Sequence, residues 1–140
     1  MKSLLGVILV GLFIFSHAVA WGSDWRFVGA NEQLSFYYDA ESITRSPEKT
    51  IRMWSKSVYT DKGRIDLIKR FGKIHEDADH AVELVELDCL KRMVRYLSAT
   101  FYSKGSTLSS SKTGDFKLTD EWVFIEPDTF ADPIYKILCK

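Results

Sequence analysis

Leu34, Phe36 and Tyr38 alternate with Ser35 and Tyr37, the two-residue period of a strand that buries one face. Trp25-Arg26-Phe27-Val28 predicts a shorter strand before it, ended by Gly29-Ala30-Asn31. The polar segment from Asp39 to Lys49, with Ser46-Pro47-Glu48-Lys49 inside it, reads as a loop with a turn. Thr50 to Tyr59 predicts a third strand, rich in β-branched and aromatic side chains (Ile51, Trp54, Val58, Tyr59). The period then changes. Ile65, Leu67, Ile68, Phe71 and Ile74 recur at helical spacing, after a cap at Thr60 or Asp61 and before Gly72, which predicts one helix near 62–71.

His75-Glu76-Asp77-Ala78-Asp79-His80 reads as a polar connection to two further strands, Ala81 to Asp88 and Met93 to Tyr102. On the second, Arg92, Val94, Tyr96, Ser98, Thr100 and Tyr102 alternate with Met93, Arg95, Leu97, Ala99 and Phe101. Ser103-Lys104-Gly105-Ser106 is a hairpin signal leading to a short strand at Thr107 to Ser110. Ser109 to Asp120 is rich in Ser, Thr and Lys and reads as a mobile loop; the apolar Trp122 to Ile125 is stopped by Pro127. Asp132 then caps a helix with Pro133 in its first turn and Ile134, Ile137 and Leu138 on its apolar side. The expected class is α+β: an antiparallel β-sheet meander with one internal helix and a C-terminal helix packed on it.

Ahead of this pattern, Lys2 is followed by the uncharged run Leu4 to Phe15 and by Ala18-Val19-Ala20, a small-x-small cleavage signal. This is the three-part order of a secretory signal peptide, expected to be removed after residue 20. No Cys follows the cleavage point, so lipid attachment at a new N-terminal Cys is not expected. The chain has 140 residues, 46% hydrophobic and 27% charged, with 19 basic and 19 acidic side chains. Removing the leader takes away only Lys2, leaving 18 basic against 19 acidic groups in a single domain at residues 21–140. That size buries a real core, and the composition argues against disorder. Near-neutral charge argues against a nucleic-acid partner, which requires a basic field.

Cys89 and Cys139 are the only cysteines. An even count in an exported chain reads as one disulfide, and a redox or metal pair would need the short Cys-x-x-Cys spacing that is absent.

Candidate chemistry is sparse. His75 and His80, with three carboxylates between them, have metal-ligand residue types but lack the spacing of His-Glu-x-x-His, and a solvated acidic loop is the commoner reading. No Gly-x-Ser-x-Gly elbow or Gly-rich phosphate loop is present, and nothing places a base beside Ser109-Ser110-Ser111. Lys69-Arg70 with Lys73, and Lys91-Arg92 with Arg95, could meet an anionic glycan, lipid or acidic partner, but nearby Asp and Glu favour a solvated polar face. The tryptophans (Trp21, Trp25, Trp54, Trp122) and tyrosines (Tyr37, Tyr38, Tyr59, Tyr96, Tyr102, Tyr135) are expected mostly in the core or at its edge; an exposed Trp/Tyr patch would mark a binding surface instead.

Trp25 at the start of the domain, Tyr38-Asp39, Trp54, Glu86-Leu87-Asp88-Cys89 with the basic Lys91-Arg92, Tyr102 with Gly105, Trp122, Glu126-Pro127 and the terminal Ile137-Leu138-Cys139 carry a likeness. Over nearly all of 21–140 this pattern resembles the surface-adhesin protein E-like family of bacterial envelope proteins. The resemblance implies an antiparallel sheet with packed helices, a Cys89–Cys139 disulfide and no enzymatic activity or cofactor. It implies outer-membrane adhesins that bind host extracellular-matrix and serum proteins and can form homodimers. Those adhesins are associated with a lipid anchor, whereas Trp21 follows the cleavage site here. No ligand-binding or catalytic residue is carried over. The expectation is an exported, non-catalytic, protein-binding envelope domain, periplasmic, secreted or surface-associated. The alternatives are a periplasmic structural or assembly factor and a metal-dependent enzyme centred on His75 and His80.

Overall fold

A computed structural model describes residues 23–104, 106–110 and 121–140; the expected leader (1–20) and most of the Ser/Thr-rich stretch up to Asp120 lie outside the described residues. The strands are β1 (Trp25–Ala30), β2 (Leu34–Asp39), β3 (Thr44–Arg45), β4 (Thr50–Tyr59), β5 (His80–Asp88), β6 (Met93–Ser103), β7 (Ser106–Ser110) and β8 (Val123–Phe124). The helices are α1 (Asp61–Phe71) and α2 (Ala131–Leu138). All pairings are antiparallel, in the order β1-β2-β4-β5-β6-β7, with β3 beside β4 and β8 beside β6. Among the described residues the fold is therefore the expected α+β meander.

One face of this sheet is the core. Ile51 and Met53 of β4 stand opposite Leu87 and Val85 of β5. They are buried with Phe36, Tyr38, Val94 and Ile125 under Ile134 and Leu138 of α2. A smaller cluster joins Leu67 of α1 to Ala78, Ala81 and Phe101. Both helices thus lie on the same side of the sheet.

Thr60 is the α1 cap, its hydroxyl accepting from the Gly63 N–H at 3.2 Å. Gly72 ends the helix at φ 94°, a left-handed value that favours glycine. Gly63 is required for a different reason: a Cβ there would be driven into the Gln33 carbonyl, so α1 approaches the β1–β2 turn through a missing side chain.

Five expectations change. The 39–49 segment is not all loop: Ala40–Ser42 forms a 3-10 turn and Thr44–Arg45 adds β3 to the edge of β4. β1 runs through Gly29 to Ala30, because Val28 is an extra residue in the pairing with β2. The strict alternation of β6 also fails. Leu84 faces Ser98 while Val85 faces Tyr96, which leaves Leu97 as a bulge. Val94 and Tyr96 therefore share the core face with Ala99 and Phe101, two sets that a period of two keeps apart. Ile137, expected on the apolar side of α2, is 41% exposed, since in this two-turn helix only Ile134 and Leu138 reach the sheet.

Asp132 is the fifth correction. It does not cap α2, whose N-cap position is Phe130 without a side-chain bond. Its carboxylate instead accepts from Arg92 at 2.6 Å and Lys136 at 2.7 Å. Lys136 foremost, with Arg92, holds that carboxyl below its ordinary range, against the opposing effect of burial. Arg92 also donates to the Ile125 carbonyl at 3.0 Å, so one guanidinium joins the β5–β6 turn, the segment after β8 and the start of α2. Asp88 shapes that turn by accepting from the Leu90 and Lys91 N–H groups, and Arg92 closes it at φ 54°. Cys89, in the same turn, is bonded to Cys139 just past α2.

Candidate functional site

The second face of the sheet carries no helix among the described residues. Its side chains come from the alternate positions of the core strands: Phe27 and Trp25 on β1, Tyr37 on β2, and Arg52, Trp54 and Lys56 on β4. Register sets them in rows, with Phe27 opposite Tyr37, Tyr37 opposite Lys56, and Trp54 opposite Leu84, which in turn faces Ser98. Phe27 is 60% exposed and Trp54 40% exposed.

The polar groups between these rings are held in place. The Lys56 ammonium sits 4.5 Å from the Trp25 ring centre and 5.3 Å from that of Tyr37. Phe27 meets Tyr37 edge-on at 5.6 Å. Across the sheet, Glu86 accepts from Arg52 at 2.7 Å and from Arg95 at 3.0 Å. The Arg95 guanidinium in turn covers the Trp122 ring at 4.5 Å. The result is a surface of aromatic faces and oriented cations, in which Arg52 and Arg95 share one carboxylate, Glu86, and Lys56 rests on the rings of Trp25 and Tyr37. Such a face offers large rigid contact area with few rotamers to freeze, and cation–π contacts that hold their charge ready.

The expectation that aromatics mostly fill the core is thus corrected for the tryptophans. None of Trp25, Trp54 and Trp122 is buried, and Trp21 lies outside the described residues. Tyr38 is a core residue. Period alone could place Trp54 on the face opposite Met53, but not say which face the helices would cover.

His75 and His80 are not brought together. His75 ends a 3-10 turn (Lys73–His75), is fully buried, and points edge-on at Phe101 with ring centres 4.7 Å apart. His80 opens β5, stacks on Tyr102 at 4.9 Å and shares a hydrogen bond with Asp79. Phe101 and Tyr102 are neighbours on β6, so the two imidazoles lie on opposite faces of the sheet. The acidic residues of this loop are solvated as expected at Glu76 and Asp77, while His75 and Ala78 within it are completely buried. Among the described residues no group of three or more His, Cys, Asp or Glu side chains could hold a metal. His75→Ala is expected to destabilise the fold by roughly 2 kcal/mol through lost ring packing, whereas His80→Ala should cost well under half of that. Urea titrations of the two variants check this.

The basic clusters also part. Arg70 pairs with Asp66 on the exposed side of α1. Lys91 is exposed in the turn, while Arg92 is consumed by the Asp132 clamp and Arg95 faces the aromatic surface.

On the core side, between α1 and the segment before α2, lies a cavity of about 300 Å³ with Glu83 in its floor. The Ser55 hydroxyl donates to Glu83 at 3.1 Å, and Ser57 also bonds it. Burial raises the Glu83 carboxyl to about 7, the two serine hydroxyls opposing. Burial, then the neighbouring Glu83, pushes the Tyr59 and Tyr96 phenols above their ordinary value.

The comparison that decides the family is with the surface-adhesin protein E model, which matches residues 25–140. The chain belongs to the surface-adhesin protein E family. The match spans the whole described domain, both cysteines and the aromatic face. No curated protein matches the chain. Among solved structures, a second crystal form of Haemophilus influenzae protein E is similar over 80% of this chain and 91% of its own, at 15% identity and a TM-score of 0.50. Protein E from non-typeable Haemophilus influenzae is similar over 81% and 74% respectively, at 16% identity and a TM-score of 0.50. At these identities the likeness is one of fold. No helix among the described residues is long and apolar enough to cross a membrane.

Proposed function

We propose that this chain is an exported, non-catalytic envelope protein of adhesin type that binds a protein partner through the helix-free face of its sheet. The observation that carries the reading is the aromatic and cationic surface of Trp25, Phe27, Tyr37, Trp54 and Lys56, with Phe27 and Trp54 both well exposed. An isolated domain gains nothing by keeping such rings in water, and rings of this kind with adjacent Arg are what buried interface centres are made of. The partner it fits is a protein of extracellular-matrix type, engaged through a segment that offers apolar side chains to the rings and carboxylates to Lys56, Arg52 and Arg95. Membership of the surface-adhesin family supports the same reading. Residues 1–20 act as the export signal, on the strength of Lys2, the apolar run and Ala18-Val19-Ala20.

The test is surface plasmon resonance of the purified domain over a panel of immobilised extracellular-matrix proteins. Binding to at least one of them is expected. The double variant Phe27→Ser/Trp54→Ala should weaken it tenfold or more, about 1.4 kcal/mol or above, with the melting temperature little changed. Binding that survives the double variant would remove this face from the proposal; no binding to any member of the panel would remove the adhesin reading itself.

A further inference from the structure

The cavity over Glu83 is distinct from the aromatic face, since it opens on the other side of the sheet. Its floor is made by Phe36, Ser57, Tyr59, Glu83 and Tyr96, contributed by four neighbouring strands. α1 forms one wall and Phe130, ahead of α2, the other. The volume of about 300 Å³ is at the small end of ligand pockets. Glu83 lies deep between the strands yet keeps some accessible surface, and that surface faces the cavity.

A carboxylate in such a place is unusual. Its partners among the described residues are the neutral hydroxyls of Ser55 and Ser57, and the basic side chain in the cavity lining, Arg70, pairs with Asp66 rather than with Glu83. A fold that needed only to fill this space would place an apolar side chain there, because a buried charge without a counter-charge is costly. Phe36, Tyr59, Tyr96 and Phe130 line the cavity, and an aromatic lining favours a cation over an anion because ring faces carry negative charge density. At the mouth, Asp66 is already paired with Arg70.

We infer that this cavity is a binding site for a small organic cation, a primary ammonium head on Glu83 with an apolar or aromatic body along the rings. The ammonium donates to the carboxylate and supplies the counter-charge that the protein withholds. The body replaces water against Phe36, Tyr59, Tyr96 and Phe130. Glu83 must be ionised to serve. The other titratable groups facing it are Tyr59 from β4, Tyr96 from β6, and Asp66 and Arg70 from α1; the phenols, pushed up, stay neutral across the working range.

The probe is 2-phenylethylamine, titrated into the purified domain by calorimetry at about pH 8, with 2-phenylethanol and phenylacetate as neutral and anionic counterparts. The amine is expected to bind at least tenfold more tightly than either. Lowering the pH to about 5.5, which protonates Glu83, should weaken the amine tenfold or more. Glu83→Gln should abolish the preference for the amine while retaining a cooperative melt. Equal binding of amine and alcohol, binding unchanged by acid or by Glu83→Gln, or no amine binding at millimolar concentration would each overturn the inference. Should the Gln variant fail to fold, the pH series on the unaltered chain decides between the same outcomes.

Discussion

Reduction of the Cys89–Cys139 bridge is expected to lower the stability of this domain by about 4 kcal/mol, the chain-entropy value for closing a 50-residue loop. That is a large part of the 5–15 kcal/mol that typically holds a domain together, so a melting midpoint roughly 10–20 °C lower is expected. The structural reason is where the bridge sits. It fastens the β5–β6 turn to the residue after α2, and α2 supplies Ile134 and Leu138 to the main core. Two further contacts depend on the same docking: the Tyr135 hydroxyl donates to the Cys89 carbonyl at 3.1 Å, and Arg45 donates to the Leu138 carbonyl at 3.1 Å. Urea unfolding of the oxidised domain, of the reduced domain, and of Cys89→Ser/Cys139→Ser measures the effect. A difference below about 1 kcal/mol would show that the Asp132 clamp and the packing of α2 hold the C-terminus without the bridge.

Glu83→Gln should make the domain more stable at alkaline pH, by up to about 3 kcal/mol, and leave it little changed near pH 4. The carboxyl has its ordinary value of 4.5 in the unfolded chain and about 7 in the fold. Between those values the folded state holds a proton that the unfolded state has released. Stability contributed by this group is therefore complete below about 4.5, declines as the pH rises, and is lost above about 7. The amide carries no charge to desolvate and can still exchange hydrogen bonds with Ser55 and Ser57, so it removes the decline. Parallel denaturation curves of the two proteins from pH 4 to 9 isolate this effect from other carboxylates such as Asp132, which act equally in both. A Gln variant less stable than the parent at pH 8 would sink the argument. A side chain that weakens the fold at neutral pH is one kept for its chemistry, which is why the same residue anchors the proposed ammonium site.

Much of this architecture was legible from local pattern. Thr60, the periodic Leu67 and Phe71, and Gly72 define α1 because capping, burial and a left-handed terminus all act within a few residues. Leu34, Phe36 and Tyr38 group on one face of β2 for the same reason, and the hairpin between β6 and β7 closes with Ser103 opposite Ser106. The features that were not legible depend on a partner strand. Leu97 becomes a bulge only because β5 pairs across it, and Asp132 is drawn from capping by Arg92, forty residues earlier. His75 looks like a polar loop residue until Phe101 is placed beneath it.

The sequence by itself determined the α+β meander and the pairing of the only two cysteines, because strand period, helix caps and cysteine count are properties of neighbouring residues or of the whole count; the surface-adhesin family was carried by the likeness of short dispersed motifs around Asp88-Cys89 and Cys139. Only the tertiary structure decided which face of the sheet both helices cover. That choice exposed Trp54 and Phe27, buried His75, separated it from His80, and left Glu83 in a cavity between α1 and the approach to α2. Alternation states that a strand has two faces; which one meets water is settled by where α1 and α2 pack, and that is a sum over contacts distant in sequence.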